Sequence, residues 1–441
     1  MSQQSIASVR KRRNGEANKL AAKDRGVHDW YRFVLSFPPH VVRDYLEKFN
    51  INARETVLDP FCGTGTTLVE CKKLGISAIG VEANALAHFA SSVKSNWDID
   101  PDGLVAEAAD AADHALAVLK RDGVEDDPAI FPSSARIQDL TLRGLDADQE
   151  KLILTDSISP LPLHKALVLR DSIGNYRGSD NYDLMRLAFA SIVTFSASNL
   201  QFGPEVGVGR PKIDSAVVTT WMDKIRQIAN DLNEFGGLAN VGTRVHRHDA
   251  REIEDVLVPN SIDFVFTSPP YPNEKDYTRT TRLESVMLGL INNRQDLRQI
   301  KRELLRSNTR GVYKGDDDDS WVSEFPEVQR LAEQIESRRI ELGKTSGFER
   351  LYHRVTKLYF GGMAKHLAGL RTALKPGAHL GYVVGDQASY LRVMIRTGEI
   401  LASIAESLGY EVAGIDLFRT RLATATREQL REEVLLLRWP G

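Results

Sequence analysis

The stretch Thr267-Ser268-Pro269-Pro270-Tyr271 holds the residue types with the most direct chemical use. It follows an apolar run, Ile262-Asp263-Phe264-Val265-Phe266, that reads as a short buried strand. Two successive prolines cannot continue a sheet, and each holds the residue before it in extended geometry. The strand must therefore stop at Ser268 and leave a stiff corner whose carbonyls are not spent on a ladder. A hydroxyl, a proline carbonyl and an aromatic face then sit together at the carboxyl end of a strand, the edge where open α/β sheets bind ligands. Such a corner could grip a planar group bearing an NH2, its oxygens accepting the two hydrogens while the Tyr271 ring stacks on the plane. The competing reading is a proline-rich turn with a core tyrosine.

A second constellation lies upstream. Glu55-Thr56-Val57-Leu58-Asp59 reads as a strand, Pro60-Phe61-Cys62-Gly63-Thr64-Gly65-Thr66-Thr67 as a glycine turn, and Leu68 to Leu74 as a helix stopped by Gly75. Ser77 to Val81 then forms a second strand ending in Glu82. Strand, glycine turn, helix and strand with an acid at the second tip is the layout of a nucleotide-binding βαβ unit. Gly63 and Gly65 permit the tight turn and let a ligand approach the backbone. The helix start at Thr66 and Thr67 offers unpaired N–H groups to an anion, and Glu82 can accept both hydroxyls of a ribose. The turn is not GxGxxG and lacks the Gly-Lys-Ser/Thr of a phosphate-binding loop, so a pyrophosphate or triphosphate fits poorly. A nucleoside carrying a small carboxylate fits better, which describes S-adenosylmethionine.

Together, Asp59-Pro60-Phe61-Cys62-Gly63-Thr64-Gly65-Thr66-Thr67 and the downstream Thr267-Ser268-Pro269-Pro270-Tyr271 resemble the amino-methylating DNA methyltransferases, which make N4-methylcytosine or N6-methyladenine, often within restriction–modification systems. The resemblance implies that Asp59, Phe61, Gly63, Thr64, Gly65, Thr66, Thr67, Glu82 and Thr267 surround the cofactor. It implies that Ser268, Pro269, Pro270 and Tyr271 hold the target amino group. The segment Phe33–Pro39 would correspond to a further cofactor-proximal stretch, contributing Ser36 and Phe37. By resemblance to the broader cofactor-binding fold, Asp249, an acid ending a third strand, meets the adenine amino group; a helix N-cap is the alternative. Double-stranded DNA is the implied partner, and a cognate restriction endonuclease is compatible with it. Serine at 268 favours cytosine N4 over adenine N6. An RNA or tRNA base N-methyltransferase, a free-amine or protein-amide methyltransferase, and a non-catalytic cofactor-binding subunit of a modification complex are the competing classes.

The elements that must position these residues can be traced along the 441-residue chain. Seven strands are expected near residues 56, 78, 244, 263, 381, 412 and 434, the last two forming a hairpin. That pattern predicts an α/β fold: a seven-stranded, Rossmann-like S-adenosylmethionine-dependent methyltransferase sheet with helical insertions. The catalytic domain is expected over 28–97, 241–290 and 351–441, a mainly helical insertion over 98–240, and a second charged helical insertion over 291–350 that could recognise the target. Residues 1–27, with Arg10-Lys11-Arg12-Arg13, read as a basic mobile arm. Gly203–Lys212 reads as a flexible loop that could face DNA, Asp316-Asp317-Asp318-Asp319 as a solvated loop, and Lys275, Arg279 and Arg282 as a phosphate-contacting cluster. A net charge of −3 means that any nucleic-acid contact rests on such local patches. Only two cysteines occur, with no CxxC and no His/Cys cluster, so neither a disulfide framework nor a structural zinc is expected. No uninterrupted apolar run reaches transmembrane length, which predicts a cytoplasmic protein.

Overall fold

The computed structural model describes residues 20–33, 36–127, 140–203, 205–273, 275–422 and 429–441. Nine strands are formed there: β1 (Thr56–Asp59), β2 (Ser77–Val81), β3 (Leu200–Phe202), β4 (Val206–Val208), β5 (Thr243–His246), β6 (Ile262–Thr267), β7 (Leu374–Gly385), β8 (Glu411–Leu422) and β9 (Gln429–Arg438). Seven of them make one sheet in the order β5-β2-β1-β6-β7-β9-β8. β9 runs antiparallel to both of its neighbours, β7 and β8, whereas the remaining pairs are parallel. The expected terminal hairpin is therefore present, with its last strand inserted.

The strand order fixes where a ligand can sit. From β1 the chain steps outward to β2 and β5, then returns to β6 on the other side of β1. β1 and β6 are thus parallel neighbours at the point where the winding reverses, with Val57 opposite Phe264 and Leu58 opposite Val265. A crevice opens outside the carboxyl ends of such a strand pair. The glycine turn after β1 and the diproline corner after β6 both leave the sheet at that crevice.

Alternation along β1 and β6 sends side chains into two helical layers. Val57, Phe264 and Phe266 pack with Val41, Tyr45, Leu68 and Cys71 from helices Pro39–Lys48 and Thr66–Lys73. Leu58 and Val265 pack on the opposite side with Tyr359, Met363, Leu367 and Ile404 from helices Tyr352–Leu370 and Thr397–Ser407. Phe264, Val265 and Phe266 are all fully buried, as a central strand covered on both faces requires.

Among the described residues of the 98–240 segment, the regular elements are helices apart from the β3–β4 hairpin. Ala108, Ala111, Ala112 and Ala115 make the inward stripe of helix Pro101–Arg121, small enough for helices Pro160–Ile173 and Val218–Phe235 to pack closely. No helix among the described residues is long and apolar enough to cross a membrane.

Three expectations are corrected. Most of the basic arm, residues 1–19, lies outside the described residues, but residues 22–29 form two 3₁₀ turns with Asp24 and Val27 buried. Arg43 ties this segment down by bonding both Asp24 and Glu70, so an arm does not extend to residue 27. Gly203–Lys212 is not a free loop: β4 pairs with β3, and the Lys212 ammonium donates to the Ser196 carbonyl. The aspartate run is not a solvated loop either. Asp316 accepts from the Arg306 guanidinium at 2.9 Å, and Asp318 meets Arg251 at 2.5 Å. Buried arginines recruit two of the four acids inward.

Candidate active site

The crevice is a cavity of about 680 Å³, in the range of sites for drug-sized ligands. One wall is the glycine turn. Gly63 and Gly65 adopt φ of 51° and 84°, the left-handed region, and a side chain at Gly65 would press on Ser91 Cβ at 3.1 Å. The turn is locked to the tip of β2 through Glu82, whose carboxylate accepts from the Gly63 N–H at 2.9 Å and the Asn84 N–H at 2.7 Å. Burial pushes the Glu82 carboxyl up to about 7, against the two N–H groups that favour its ionised form. Glu82 still lines the cavity, so its remaining lone pairs face a ligand.

Ser36, Phe37, Phe61, Gly63, Thr64 and Thr66 line the same wall. Ser36 and Thr64 approach through their hydroxyls at 3.4 Å, and Phe37 meets Phe266 edge-on. Phe61 packs edge-on against His366. That buried imidazole also bonds the Ala250 carbonyl and the Tyr382 hydroxyl, each at 2.8 Å. Burial lowers its pKa to about 4, so it joins Phe61, Ala250 and Tyr382 as a neutral ring.

Asp59, Gly65, Thr67 and Thr267, expected around the cofactor, stand behind the cavity lining. Asp59 is fully buried, accepting from the Thr267 hydroxyl at 2.6 Å and the Phe61 N–H at 3.2 Å. Thr67 donates its hydroxyl to the Phe266 carbonyl at 3.3 Å. These residues clamp the turn after β1 to the end of β6. They set the distance between the two walls.

The opposite wall is the diproline corner, where Ser268, Pro269, Pro270 and Tyr271 all line the cavity. The Ser268 hydroxyl donates to the Val383 carbonyl at 3.2 Å. With that proton on β7 its oxygen keeps acceptor capacity, beside the Tyr271 hydroxyl with which Ser268 also hydrogen-bonds. Tyr271 is half-buried, with its ring edge over Gly385, where a Cβ would lie 3.0 Å from Cε2. A side chain there would push the ring into the cavity.

Asp249 lines the cavity and is also the N-cap of the turn Ala250–Asp255. Its carboxylate accepts from the Arg251 backbone N–H at 2.9 Å and is gripped by the Arg251 guanidinium at 2.5–3.0 Å. The N-cap is formed, and the same carboxylate borders the cavity.

Of the basic cluster, only Lys275 lines the cavity. The Arg282 guanidinium is spent on the Thr278 carbonyl and hydroxyl, both at 2.9 Å, and on the Leu152 carbonyl at 3.3 Å. It holds the first insertion against this segment, which corrects its expected use on phosphate. Arg279 is half-buried on the short helix Tyr277–Thr280 and does not line the cavity.

Other cavity residues come from segments that carry no local motif: Glu205 from the β3–β4 turn, Asn308 from the second insertion, and Arg419 and Arg421 from β8. Lys94 supports the site from behind. Its ammonium donates to the Thr64 carbonyl at 2.9 Å and the Tyr31 carbonyl at 3.3 Å, and burial lowers its pKa to about 7. One signal could have found it: Lys94 falls on the apolar face of helix Ala85–Ser95, beside Leu86, Ala90 and Val93.

A family model described as DNA methylase, of the N6/N4 methyltransferase type, matches residues 5–90, the part that holds the glycine turn and Glu82. The chain is 24% identical over 434 residues to the Type II methyltransferase M.BsoBI of Geobacillus stearothermophilus, spanning 92% of this chain and 83% of that protein. It is 23% identical over 452 residues to the Type II methyltransferase M.AvaI of Nostoc sp., spanning 95% and 88%. A shorter similarity, 35% over 83 residues, relates it to the Type II methyltransferase M.MjaII of Methanocaldococcus jannaschii. A seven-stranded sheet that brings the glycine turn and the diproline corner to one crevice thus stands in a chain that is similar over nearly its whole length to Type II methyltransferases, with an N-terminal part that matches the DNA methylase family model.

Proposed function

We propose that this protein transfers a methyl group from S-adenosylmethionine to an exocyclic amino group of a base flipped out of double-stranded DNA, cytosine N4 in preference to adenine N6. The observation that carries the reading is the shared cavity: Gly63 and Glu82 form one wall, Ser268, Pro269 and Tyr271 the other. The residues present fit the donor. Glu82 is fixed by two backbone N–H groups where a ribose could use its remaining lone pairs. Phe37 and Phe61 offer ring faces or edges to a sulfonium. When bound, S-adenosylmethionine supplies a methyl group already activated on a cationic sulfur.

The protein's task is then alignment and preparation of the nucleophile. An exocyclic amino lone pair is delocalised into its ring and attacks poorly. Because the Ser268 proton is directed at Val383, its oxygen can accept one N–H of the amine, and the Pro269 carbonyl can accept the other. Two acceptors out of the base plane favour a pyramidal nitrogen and expose its lone pair. The gain appears mainly in the transition state, where catalysis needs it. The new N–C bond forms as the S–C bond breaks, and the cationic amine then releases one proton to water. Tyr271 holds the plane of the base by stacking. Extruding that base costs a few kcal/mol, offset by these contacts.

Serine at 268 supports cytosine as the target, and the description of the matched family as DNA methylase supports DNA as the substrate. A restriction endonuclease with the same target is the partner this reading implies. Labelled cofactor incubated with genomic DNA, followed by nucleoside analysis, tests it directly. Label in N4-methylcytosine is expected; label in N6-methyladenine would change the target base, and absence of label from both would overturn the reading.

Glu82 makes the cofactor step dependent on pH. With its carboxyl raised to about 7, acidification below that value protonates the group that should accept ribose hydroxyls. The cofactor dissociation constant is expected to rise as pH falls below 7, by up to about tenfold per unit for a single proton. Equilibrium titrations between pH 5.5 and 8.5 check this. Glu82→Gln should bind weakly throughout with a flattened profile; an unchanged slope in that variant would place the titration elsewhere.

A further inference from the structure

Two cations at the cavity are not fully engaged. Arg419, Arg421 and Lys275 line it, with Glu205, Glu303 and Glu432 among the acids. The Glu432 carboxylate is already filled by a two-point fork from Arg419, Nε to Oε2 at 2.5 Å and Nη2 to Oε1 at 2.8 Å. Arg421 reaches the same carboxylate only at 3.4 Å and the Gln387 amide oxygen at 3.5 Å, with its side chain 43% exposed. Among the described residues, the Lys275 ammonium makes no hydrogen bond or ion pair, although its backbone is fixed: its N–H donates to the Asn273 carbonyl at 2.6 Å, and its carbonyl accepts from Asn308 at 3.1 Å. Other cations around the cavity are spent, Lys301 on Asp276 at 2.7 Å and Arg306 on Asp316. Two cationic side chains on separate elements, Lys275 and Arg421, thus line the cavity without a close carboxylate of their own.

We propose that Lys275 and Arg421 bracket a single phosphodiester, the backbone group next to the extruded nucleotide, and so form a phosphate site at the mouth of the catalytic cavity. This assignment rests on the DNA-methylating function proposed above. A phosphodiester offers two non-bridging oxygens that share its negative charge, one for each side chain. Lys275 lies four residues beyond Tyr271, so a phosphate held there is tethered to a base lying on the tyrosine. Arg421 arrives from β8, on the far side of the inserted strand β9. Mutual repulsion between the two cations is consistent with the depressed pKa of Lys275, to which burial contributes most and Arg421 next. Closing on an anion relieves that repulsion. Such a contact positions the strand and carries no sequence information.

The test is steady-state methyl transfer to sheared genomic DNA at 50 to 300 mM KCl, with wild-type protein, Arg421→Gln, Lys275→Gln, the double variant and Arg421→Lys. Each glutamine variant is expected to raise the KM for DNA roughly tenfold at constant cofactor affinity, and the double variant to flatten the slope of log(kcat/KM) against log[salt] by about one. A slope change near two would mean separate phosphates and would overturn the bracketing. Arg421→Lys, which keeps the charge, should stay within about threefold of wild type. Unchanged KM and slope in the glutamine variants of an active enzyme overturn the assignment alone, whereas a wild-type protein without methyl transfer overturns the function it rests on.

Discussion

Replacing Ser268 by alanine is expected to lower the methyl-transfer rate by roughly two to three orders of magnitude, the loss typical of deleting one preorganised polar group aimed at a reacting centre. The cofactor dissociation constant should stay nearly constant. Ser268 and the cofactor-facing groups share a cavity but not a wall: Glu82 is held by Gly63 and Asn84, Ser268 by Val383 on β7. Removing the hydroxyl leaves the Val383 carbonyl without that donor, a modest loss beside the missing acceptor for the amine. Single-turnover transfer with labelled cofactor, paired with equilibrium binding of the cofactor, separates the two effects. A variant that loses cofactor binding along with activity would show that Ser268 belongs to the donor site. A variant of near-normal rate would show that the Pro269 carbonyl suffices. Tyr271→Ala should act differently, weakening retention of the base by about 1–3 kcal/mol through lost stacking.

Both chemical constellations are legible in the sequence because each is set by local chemistry. Consecutive prolines end β6 wherever the rest of the chain lies, and Gly63 and Gly65 allow a left-handed turn on their own. Central sheet strands such as β1, β2 and β6 are legible for a related reason: each is a largely apolar run bounded by turn residues or glycine. What local chemistry leaves open is partnership. Nothing near Asp59 says that one of its carboxylate oxygens will be bonded by Thr267, 208 positions away. Arg282 resembles any exposed cation until helix Arg282–Met287 is packed against Leu152. The run of four aspartates resembles a solvated loop, yet Arg251 and Arg306 arrive from distant or neighbouring elements to neutralise two of them. Arg419 and Arg421 reach the cavity because β9 inserts beside β7 and carries β8 with it, a topological fact that no window of residues contains.

Alanine at Gly361 is expected to destabilise the protein by about 3 kcal/mol or more, the reverse of what helix propensity alone predicts. Gly361 lies inside helix Tyr352–Leu370, where alanine ordinarily stabilises by up to about 1 kcal/mol. Here the added Cβ would fall 1.9 Å from the Asp318 carbonyl oxygen, 2.6 Å from its carbon and 3.1 Å from the Asp319 nitrogen. Those atoms are backbone and cannot rotate away, so the segment Asp318–Val322 must shift from the helix. Asp318 would then withdraw from Arg251, which orients Asp249 at the cavity, so weaker cofactor binding should accompany the lower melting temperature. Gly369 in the same helix separates crowding from propensity. Its added Cβ would meet the Glu254 carboxylate at 2.2 Å, the far end of a side chain that can swing aside. Thermal unfolding of Gly361→Ala, Gly369→Ala and wild type should therefore rank the first far below the other two. If Gly361→Ala melts at or above the wild type, the aspartate segment does not press on this helix, and the path from Asp318 through Arg251 to the cavity is lost with it.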